Sequence, residues 1–227
     1  MIIFFERIFL KNIGTDKVML ARYLTQQLNI FFPDNDLINH AAIMKYMDDV
    51  LDRISFCFRH IQAPYYNKDM IYFNHLNGDH YAMFLYIYSN TVWQIDKDEK
   101  LASKIFLLNK MLHGLDVFYN ISLPNIFLFV HPVGTVIGRA KYEDYFAIYQ
   151  NCTVGSSRGV YPRFYGETIL FSNTSVIGEC NIGKNVVFSA NSFIINQNVE
   201  QDKVIIGNYP HNKIIHNSKN VIDRIFR

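Results

Sequence analysis

The sequence is poor in cysteine, and its charges are nearly balanced. Three cysteines, Cys57, Cys152 and Cys180, are an odd number without the paired spacing of a zinc site or a disulfide framework. Lys and Arg total 22 against 20 Asp and Glu, so the net charge gives no electrostatic argument for nucleic-acid binding. These scarcities argue against a disulfide-stapled module or a basic nucleic-acid-binding domain, and they favour free thiols in a reducing compartment.

Long apolar runs are also missing. The longest near the start, residues 1–10, is interrupted by Glu6 and Arg7 and is too short for a membrane span or a signal peptide. The sequence has no phosphate-cradling glycine loop and no dinucleotide fingerprint. The histidines of the first half show no pairing that fits a metal site. We therefore expect a cytoplasmic protein without a membrane span and without a metal requirement.

The first 120 residues carry apolar residues three, four or seven positions apart, a spacing typical of amphipathic helices. The stretches are residues 19–28, 37–61, 81–93 (helix or strand) and 101–112. Thr15-Asp16 and Asp98 stand where N-caps are expected, and Gly114 stands where a C-cap is expected. The pattern predicts a helical domain of about five segments.

From residue 130 the apolar period changes to six. The positions are Val130, Val136, Tyr142, Ile148 and Val154, then Phe164, Leu170, Val176, Ile182, Phe188 and Ile194. A six-residue unit holds one short strand and one corner, so three units close a triangular coil whose stacked copies share an aliphatic core. The two runs are out of phase by about four residues, which predicts an extruded loop at residues 155–163.

Residues 131–155 carry a more specific pattern. It reads His-x-x-Gly, then an aliphatic-Gly pair, then Ile-x-Gln-x-x-Thr-aliphatic-Gly. Together with the period of six, it resembles the serine acetyltransferase branch of the hexapeptide-repeat acyltransferases. The resemblance implies an α+β protein: an α-helical domain over residues 1–120, then a left-handed parallel β-helix over residues 121–227 that ends in a short cap.

The resemblance also implies a catalytic pair. An ungapped register places His131 on the family's catalytic histidine and Asp116 on the aspartate that orients the imidazole. A neutral imidazole can take the proton of an attacking hydroxyl near neutral pH. From spacing alone, His131 is as readily a turn residue and Asp116 a loop carboxylate.

In the family, acetyl-CoA binds between adjacent subunits, so the resemblance implies a homotrimer, with higher assembly through the helical domain left open. Ser172 and Ala190 fall where a small side chain lets the pantetheine arm approach the backbone. Lys213 falls where it can meet the CoA phosphates. Each is also an ordinary turn or surface residue.

One motif departs from the family. Its serine site contains Arg-His-Pro, and this chain has Val160-Tyr161-Pro162 instead. An amino-acid carboxylate is normally held by a cationic donor fork, so the loss argues against serine as acceptor. Arg158, Tyr161 and Arg163 are the predicted acceptor-binding residues; the alternative is a solvated loop that contacts a neighbouring subunit.

We therefore predict an O-acetyltransferase that moves acetyl from acetyl-CoA to a hydroxyl of a sugar, nucleotide sugar or glycan in surface-polysaccharide biosynthesis. Serine acetyltransferase activity in cysteine synthesis remains an alternative, as does transfer to an amine. A non-catalytic trimeric scaffold is the alternative of another class.

Overall fold

The computed structural model describes residues 12–13, 16–66 and 71–227, and it places a set of helices before a solenoid of short parallel strands. This confirms the predicted fold class. The apolar run at residues 1–10 and Thr15 lie outside the described residues. Within those described ranges, no helix combines the length and the apolar character needed to cross a bilayer.

The described part of the first half contains four helices rather than about five. They are α1 (Lys17–Phe31), α2 (His40–Arg59), α3 (Gly78–Asp96) and α4 (Glu99–His113). Each begins at an Asp or Asn whose side-chain oxygen accepts a backbone N–H of the first turn. Before α3, β2 (Tyr72–Phe73) pairs in parallel with β1 (Asn12–Ile13).

Helix α3 lies at the centre of the helical half. It packs against both α2 and α4, and residues 79–92 are all buried. A helix covered on every side is apolar all round, so residues 81–93 carry no amphipathic period. The choice between helix and strand left open for this stretch is therefore resolved as helix.

The solenoid is built from three sheets of stacked strands. The five-stranded sheet holds β3 (Asp116–Val117), β5 (Val136–Ile137), β7 (Thr153–Gly155), β10 (Ser175–Ile177) and β13 (Phe193–Ile195). The two-stranded sheet holds β8 (Arg163–Phe164) and β11 (Asn181–Ile182). The six-stranded sheet holds β4 (Phe127–Phe129), β6 (Phe146–Ile148), β9 (Thr168–Leu170), β12 (Val186–Phe188), β14 (Lys203–Ile206) and β15 (Lys213–His216). All neighbours are parallel except β14 and β15, and the left hand of the coil stays a prediction.

The six-residue period fixes the inward positions correctly from Ile148 onward, where every predicted position is fully buried. It is wrong at Val130, which is half-buried, whereas Phe129 pairs with Ile148 and is fully buried. It is also wrong at Val136, which is 43% exposed, whereas Ile137 is 1% exposed. Ile137 pairs with Val154 one residue short of three full units, so counting back from Val154 reaches the outward neighbour. A shortened coil shifts the register by one and turns each side chain to the other face.

The solenoid begins earlier than the predicted boundary at residue 121. Strand β3 follows α4 almost directly and pairs with β5, so its two residues already belong to the first coil. The reason is the helix end: Gly114 adopts the left-handed conformation (φ 61°) and turns the chain straight into the sheet.

The C-terminal segment does not cover the last coil as predicted. Residues 217–227, here called the C-terminal tail, contain the short helix α5 (Ile222–Ile225) and run back to the helical half. The Arg227 N–H donates to the His60 carbonyl (2.9 Å), and buried Phe226 packs edge-on against Tyr145. The last coil is closed instead by β15, an antiparallel strand exposed along its length, which pairs with the edge that a parallel ladder leaves open.

Candidate active site

One corner of the solenoid collects most of the predicted site residues. We call it the His131 corner: the turns at residues 130–135, 149–152, 171–174 and 189–192, between the six-stranded and the five-stranded sheets. Successive turns are joined by backbone hydrogen bonds of 2.9–3.0 Å, such as that from Asn191 N–H to the Ser172 carbonyl. Left-handed Gly134, Asn151, Asn173 and Asn191 make the turns, and glycine and asparagine tolerate that conformation best.

His131 lies in the first of these four turns, at residues 130–135. Its own backbone is left-handed (φ 47°), an unusual conformation for a residue with a side chain, at a cost of roughly 1–2 kcal/mol. The imidazole is 75% exposed in the single chain. The His131 N–H donates to Oδ1 of Asp79 at 2.9 Å, and the imidazole Nδ1 is 3.7 Å from the same oxygen. An exposed imidazole with one nitrogen toward a carboxylate suits a group that exchanges protons with a ligand.

Asp79 was missed by the sequence reasoning. It lies in the first turn of α3, after the N-cap Asn77, and its side chain is 11% exposed. Burial raises the pKa of its carboxyl, and the His131 N–H and imidazole oppose that rise. An acidic residue in a first helical turn is locally favourable and gives no sign of a distant partner. Fifty-two residues separate Asp79 from His131, so no spacing rule relates the two.

Asp116 lies on β3, one coil below the His131 turn. Its N–H donates to the Thr135 carbonyl (2.9 Å), which sets its backbone beneath this corner. Its carboxylate binds Nζ of Lys110 at 2.7 Å, and both side chains are partly exposed. Lys110 is thus the ion-pair partner that the structure gives Asp116, and the pairing with His131 stays a prediction.

The three predicted donor-site residues lie along the same edge. Ser172 and Ala190 occupy successive turns of the His131 corner, the first half-buried and the second exposed. Lys213 is the first residue of β15, opposite Ile206 at the end of β14, and it is exposed. The structure therefore brings His131, Ser172, Ala190 and Lys213 to one edge of the solenoid.

The predicted acceptor residues lie at the next corner, across the five-stranded sheet. Residues 156–162 form the expected loop, and paired backbone hydrogen bonds of 3.0 Å between Ser157 and Val160 close it. The Tyr161 ring lies against Gly138, where an added Cβ would be 3.1 Å from the ring and 2.6 Å from the Val154 carbonyl oxygen. Glycine at position 138 is thus required by a close approach.

A cavity of about 300 Å³ lies beside this loop. It is lined by Arg139, Lys141, Val160, Tyr161, Pro162, Arg163, Glu179, Cys180 and Asn181. Tyr161 and Arg163 are therefore brought together, and Arg158 lies outside the lining at the tip of the loop. Arg163 stacks 4.5 Å over the Tyr165 ring and lies 3.8 Å from the Glu143 carboxylate. Sequence reasoning missed the cations Arg139 and Lys141, because their approach to the loop depends on how the coils stack.

The cysteines and potential metal ligands add no further site. Cys57, Cys152 and Cys180 are buried and free, and burial raises the pKa of each thiol. A buried thiol with a raised pKa is a poor nucleophile, which agrees with Cys152 as a packing residue. In the stretches of chain that the structure describes, no three His, Cys, Asp or Glu side chains gather in a way that could hold a metal ion.

Neither the protein-family models nor the curated proteins match this sequence. Solved structures do match its fold. A serine acetyltransferase from Vibrio cholerae superposes with a TM-score of 0.64 at 15% identity, over 90% of this chain and 92% of that one. The Neisseria gonorrhoeae serine acetyltransferase in complex with serine gives a TM-score of 0.65 at 20% identity, over 87% and 83% of the chains. A serine acetyltransferase in complex with CoA gives 0.63 at 16% identity, over 86% and 83%. At these identities the likeness establishes the shared fold: a helical half followed by a parallel β-solenoid.

Proposed function

We propose that the chain is an acetyl-CoA-dependent O-acetyltransferase in which His131 is the general base. The observation that carries the proposal is the His131 corner, where an exposed imidazole stands on the same edge as Ser172, Ala190 and Lys213. The fold shared with serine acetyltransferases, one of them solved with CoA, supports it. A scaffold has no need of an exposed histidine held at a left-handed turn.

In the proposed reaction the acceptor hydroxyl gives its proton to Nε2 of His131 while its oxygen attacks the thioester carbonyl carbon. The carbonyl oxygen takes the negative charge and is stabilised by backbone N–H groups. The tetrahedral intermediate then collapses, the C–S bond breaks, and the imidazolium returns its proton to the thiolate of CoA. The family resemblance assigns the orienting carboxylate to Asp116, which in this chain is bound to Lys110 at 2.7 Å.

The donor would lie along the His131 corner, with its pantetheine arm beside Ser172 and Ala190 and its phosphates near Lys213. The family's sites lie between subunits, and a homotrimer is part of the proposal. A second subunit is also needed to complete the site, because His131 and the loop carrying Tyr161 lie at different corners of one chain. A closed three-fold ring brings different corners of neighbouring subunits together through one repeated contact.

The acceptor in this proposal is a sugar hydroxyl, in surface-polysaccharide biosynthesis. Support comes from the loop: Tyr161 and Arg163 line a cavity with Arg139 and Lys141, and the family's Arg-His is replaced by Val160-Tyr161, which carries no cation in register. Aromatic faces and charged hydrogen-bond donors suit a hydroxyl-rich ligand. Free serine is the second candidate, favoured by neighbours that are serine acetyltransferases, one solved with serine.

The test is release of CoA thiol from acetyl-CoA, corrected for hydrolysis, with serine and a panel of sugars and nucleotide sugars as separate acceptors. Wild type, His131→Ala and the control His40→Ala, a half-buried histidine at the start of α2, run side by side. We expect release with a sugar and a loss of about 10²–10⁴-fold in His131→Ala alone. Release with serine would move the chain to cysteine synthesis.

Near-normal turnover in a folded His131→Ala protein would overturn the assignment of the base. No turnover with any acceptor, together with no acetyl-CoA binding by calorimetry, would instead support the scaffold alternative. Transfer to an amine is recognised by a product that survives mild alkali, because an ester does not.

A further inference from the structure

A single carboxylate oxygen makes both contacts between the helical half and His131. Oδ1 of Asp79 accepts the His131 backbone N–H at 2.9 Å and lies 3.7 Å from Nδ1 of the imidazole. Asp79 belongs to the first turn of α3, and His131 follows β4 in the first coil. The position of the imidazole is therefore tied to the most buried helix of the molecule.

The charges around Asp79 leave His131 as its natural partner. A carboxylate this far from water is stable only if it is hydrogen-bonded and faces a cation. The titratable groups that act on it are the phenols of Tyr66 and Tyr149 and the imidazole of His131. In the described chain, His131 is the residue with which Asp79 forms an ion-pair contact. The two phenols are neutral near pH 7 and supply no positive charge.

The geometry also selects one tautomer of the imidazole. With Nδ1 toward the carboxylate, a proton on Nδ1 is favoured and Nε2 is left as the acceptor that faces solvent. Asp116 is already bound to Lys110 at 2.7 Å, so it does not compete for Nδ1 in this chain. A separation of 3.7 Å is longer than a hydrogen bond, but contacts of catalytic groups often tighten when ligands bind.

We propose that Asp79 is the positioning residue of His131: it fixes the left-handed turn through the backbone N–H and holds the imidazole with Nε2 free to take the acceptor's proton. The inference rests on His131 being the base of the proposed reaction. Asp79 acts through His131 and does not touch the reacting atoms. The helical half thereby contributes a charged group to the solenoid's active site.

The test uses two substitutions and a matched control in the full chain. Asp79→Asn keeps an oxygen for the His131 N–H and removes the charge, and Asp79→Ala removes both. The control is Asp144→Asn, because Asp144 also accepts a backbone N–H, from Ile126 at 3.0 Å, but at another corner. Each protein is measured for kcat, for KM of acetyl-CoA, and for thermal unfolding.

We expect Asp79→Asn to lower kcat about 10- to 100-fold, the scale of one charge-assisted hydrogen bond, with KM for acetyl-CoA and the unfolding temperature nearly unchanged. Asp79→Ala should lower kcat further than Asp79→Asn does, and Asp144→Asn should keep the wild-type kcat. Equal kcat in wild type and Asp79→Asn would overturn the proposal. A loss of kcat that merely follows a loss of folded protein would also overturn it.

A second readout does not depend on turnover. Long-range ¹⁵N–¹H spectra of histidine-labelled protein report the tautomer of each ring, and the signals that vanish in His131→Ala are those of residue 131. We expect the Nδ1–H form in wild type and the Nε2–H form in Asp79→Ala. If wild type transfers no acetyl group, the proposed function fails while this result still decides the role of Asp79. Identical tautomers in both proteins would overturn that role.

Discussion

The two halves of the molecule differ in what they bury. In the solenoid, the buried polar side chains are neutral: Thr135, Thr168, Thr174, Asn185, Ser192 and Asn217. In the helical half, the buried set includes ionisable residues, namely Asp79, His80 and Lys104. Lys104, for example, is 6% exposed and binds Asp34 at 2.8 Å.

This difference follows from how each half satisfies its backbone. Each coil hydrogen-bonds to the coils above and below it, so a buried threonine or asparagine only completes a corner, as Thr135 does by donating to the Tyr149 carbonyl. Helices satisfy their backbones internally and pack through side chains, so a long side chain such as that of Lys104 can bury its apolar stem and still bring its charge to a partner. The solenoid supplies a regular frame, and Asp79, His80 and Lys104, the buried charged or titratable polar residues, belong to the helical half.

The largest expected effect tests the apolar frame. Phe164 is fully buried, stacked on Tyr142 at 5.4 Å and edge-on to Phe146 at 5.3 Å. Phe164→Ala leaves a cavity between two coils and should lower the free energy of unfolding by about 3–5 kcal/mol. Urea unfolding followed by circular dichroism measures it.

Val136→Ala is the control for the frame. Val136 is 43% exposed, so its truncation should change the free energy of unfolding by less than about 0.5 kcal/mol. If Val136→Ala lowered the free energy of unfolding nearly as much as Phe164→Ala does, Val136 would point into the core, as the period of six predicts.

The next effect tests the ionisable groups of the helical half. His80 is fully buried among Tyr66, Phe58 and Phe73, and burial lowers the pKa of its imidazole to about 4. In the unfolded chain a histidine binds its proton near pH 6.5. The free energy of unfolding is therefore not reduced by this group above pH 6.5, and it falls as the pH drops from 6.5 toward 4. The total decrease in the free energy of unfolding over this pH range is at most about 3 kcal/mol.

The measurement is urea unfolding of wild type and His80→Phe at pH 7 and pH 4.5. The decrease in the free energy of unfolding between pH 7 and pH 4.5 should be smaller in the variant than in wild type, whatever the variant's absolute stability. His216→Phe, at an exposed position on β15, should keep the wild-type drop in the free energy of unfolding. An equal drop in all three proteins would show that His80 is not the group responsible.

The smallest effect tests the corners of the solenoid. Asn173 is left-handed (φ 61°) and its side-chain amide donates to the Asn191 side chain at 3.0 Å on the exposed edge. Asn173→Ala should cost about 1 kcal/mol, mostly backbone strain. Asn173→Gly relieves the strain and loses only an exposed hydrogen bond, so it should cost less. If Asn173→Gly cost more than Asn173→Ala, backbone strain would not explain the result, and the order of the two costs assumed here would be wrong.

Local signals in the sequence predicted much of the fold. Capping residues such as Asp16 and Asp98 and the C-cap Gly114 mark helix ends because each acts on its own turn. The period of six predicted the solenoid because every coil obeys the same packing rule. It failed at Val136, where one coil is a residue shorter, since a period carries no information on a local deletion.

The candidate site was harder to predict than the fold. His131 stands in a motif, and the structure places it on one edge with Ser172 and Ala190. Asp79, Arg139 and Lys141 reach their partners only through the packing of distant elements, and a single sequence holds no local trace of such contacts. The same reason explains the C-terminal tail, whose apolar residues gave no indication that they return to the end of α2.

The tail has a consequence for how the solenoid can change. It is bound to Asn185 in an upper coil, where the Val221 N–H donates to the asparagine side chain, and at the end of α2, where the Arg227 N–H donates to the His60 carbonyl. Each added or deleted coil would alter that span by about 4.8 Å. Residues 221–227 join these two contacts, so a coil added or deleted between them would require this segment to lengthen or shorten. The tail therefore couples the number of coils to the contact between the solenoid and the end of α2.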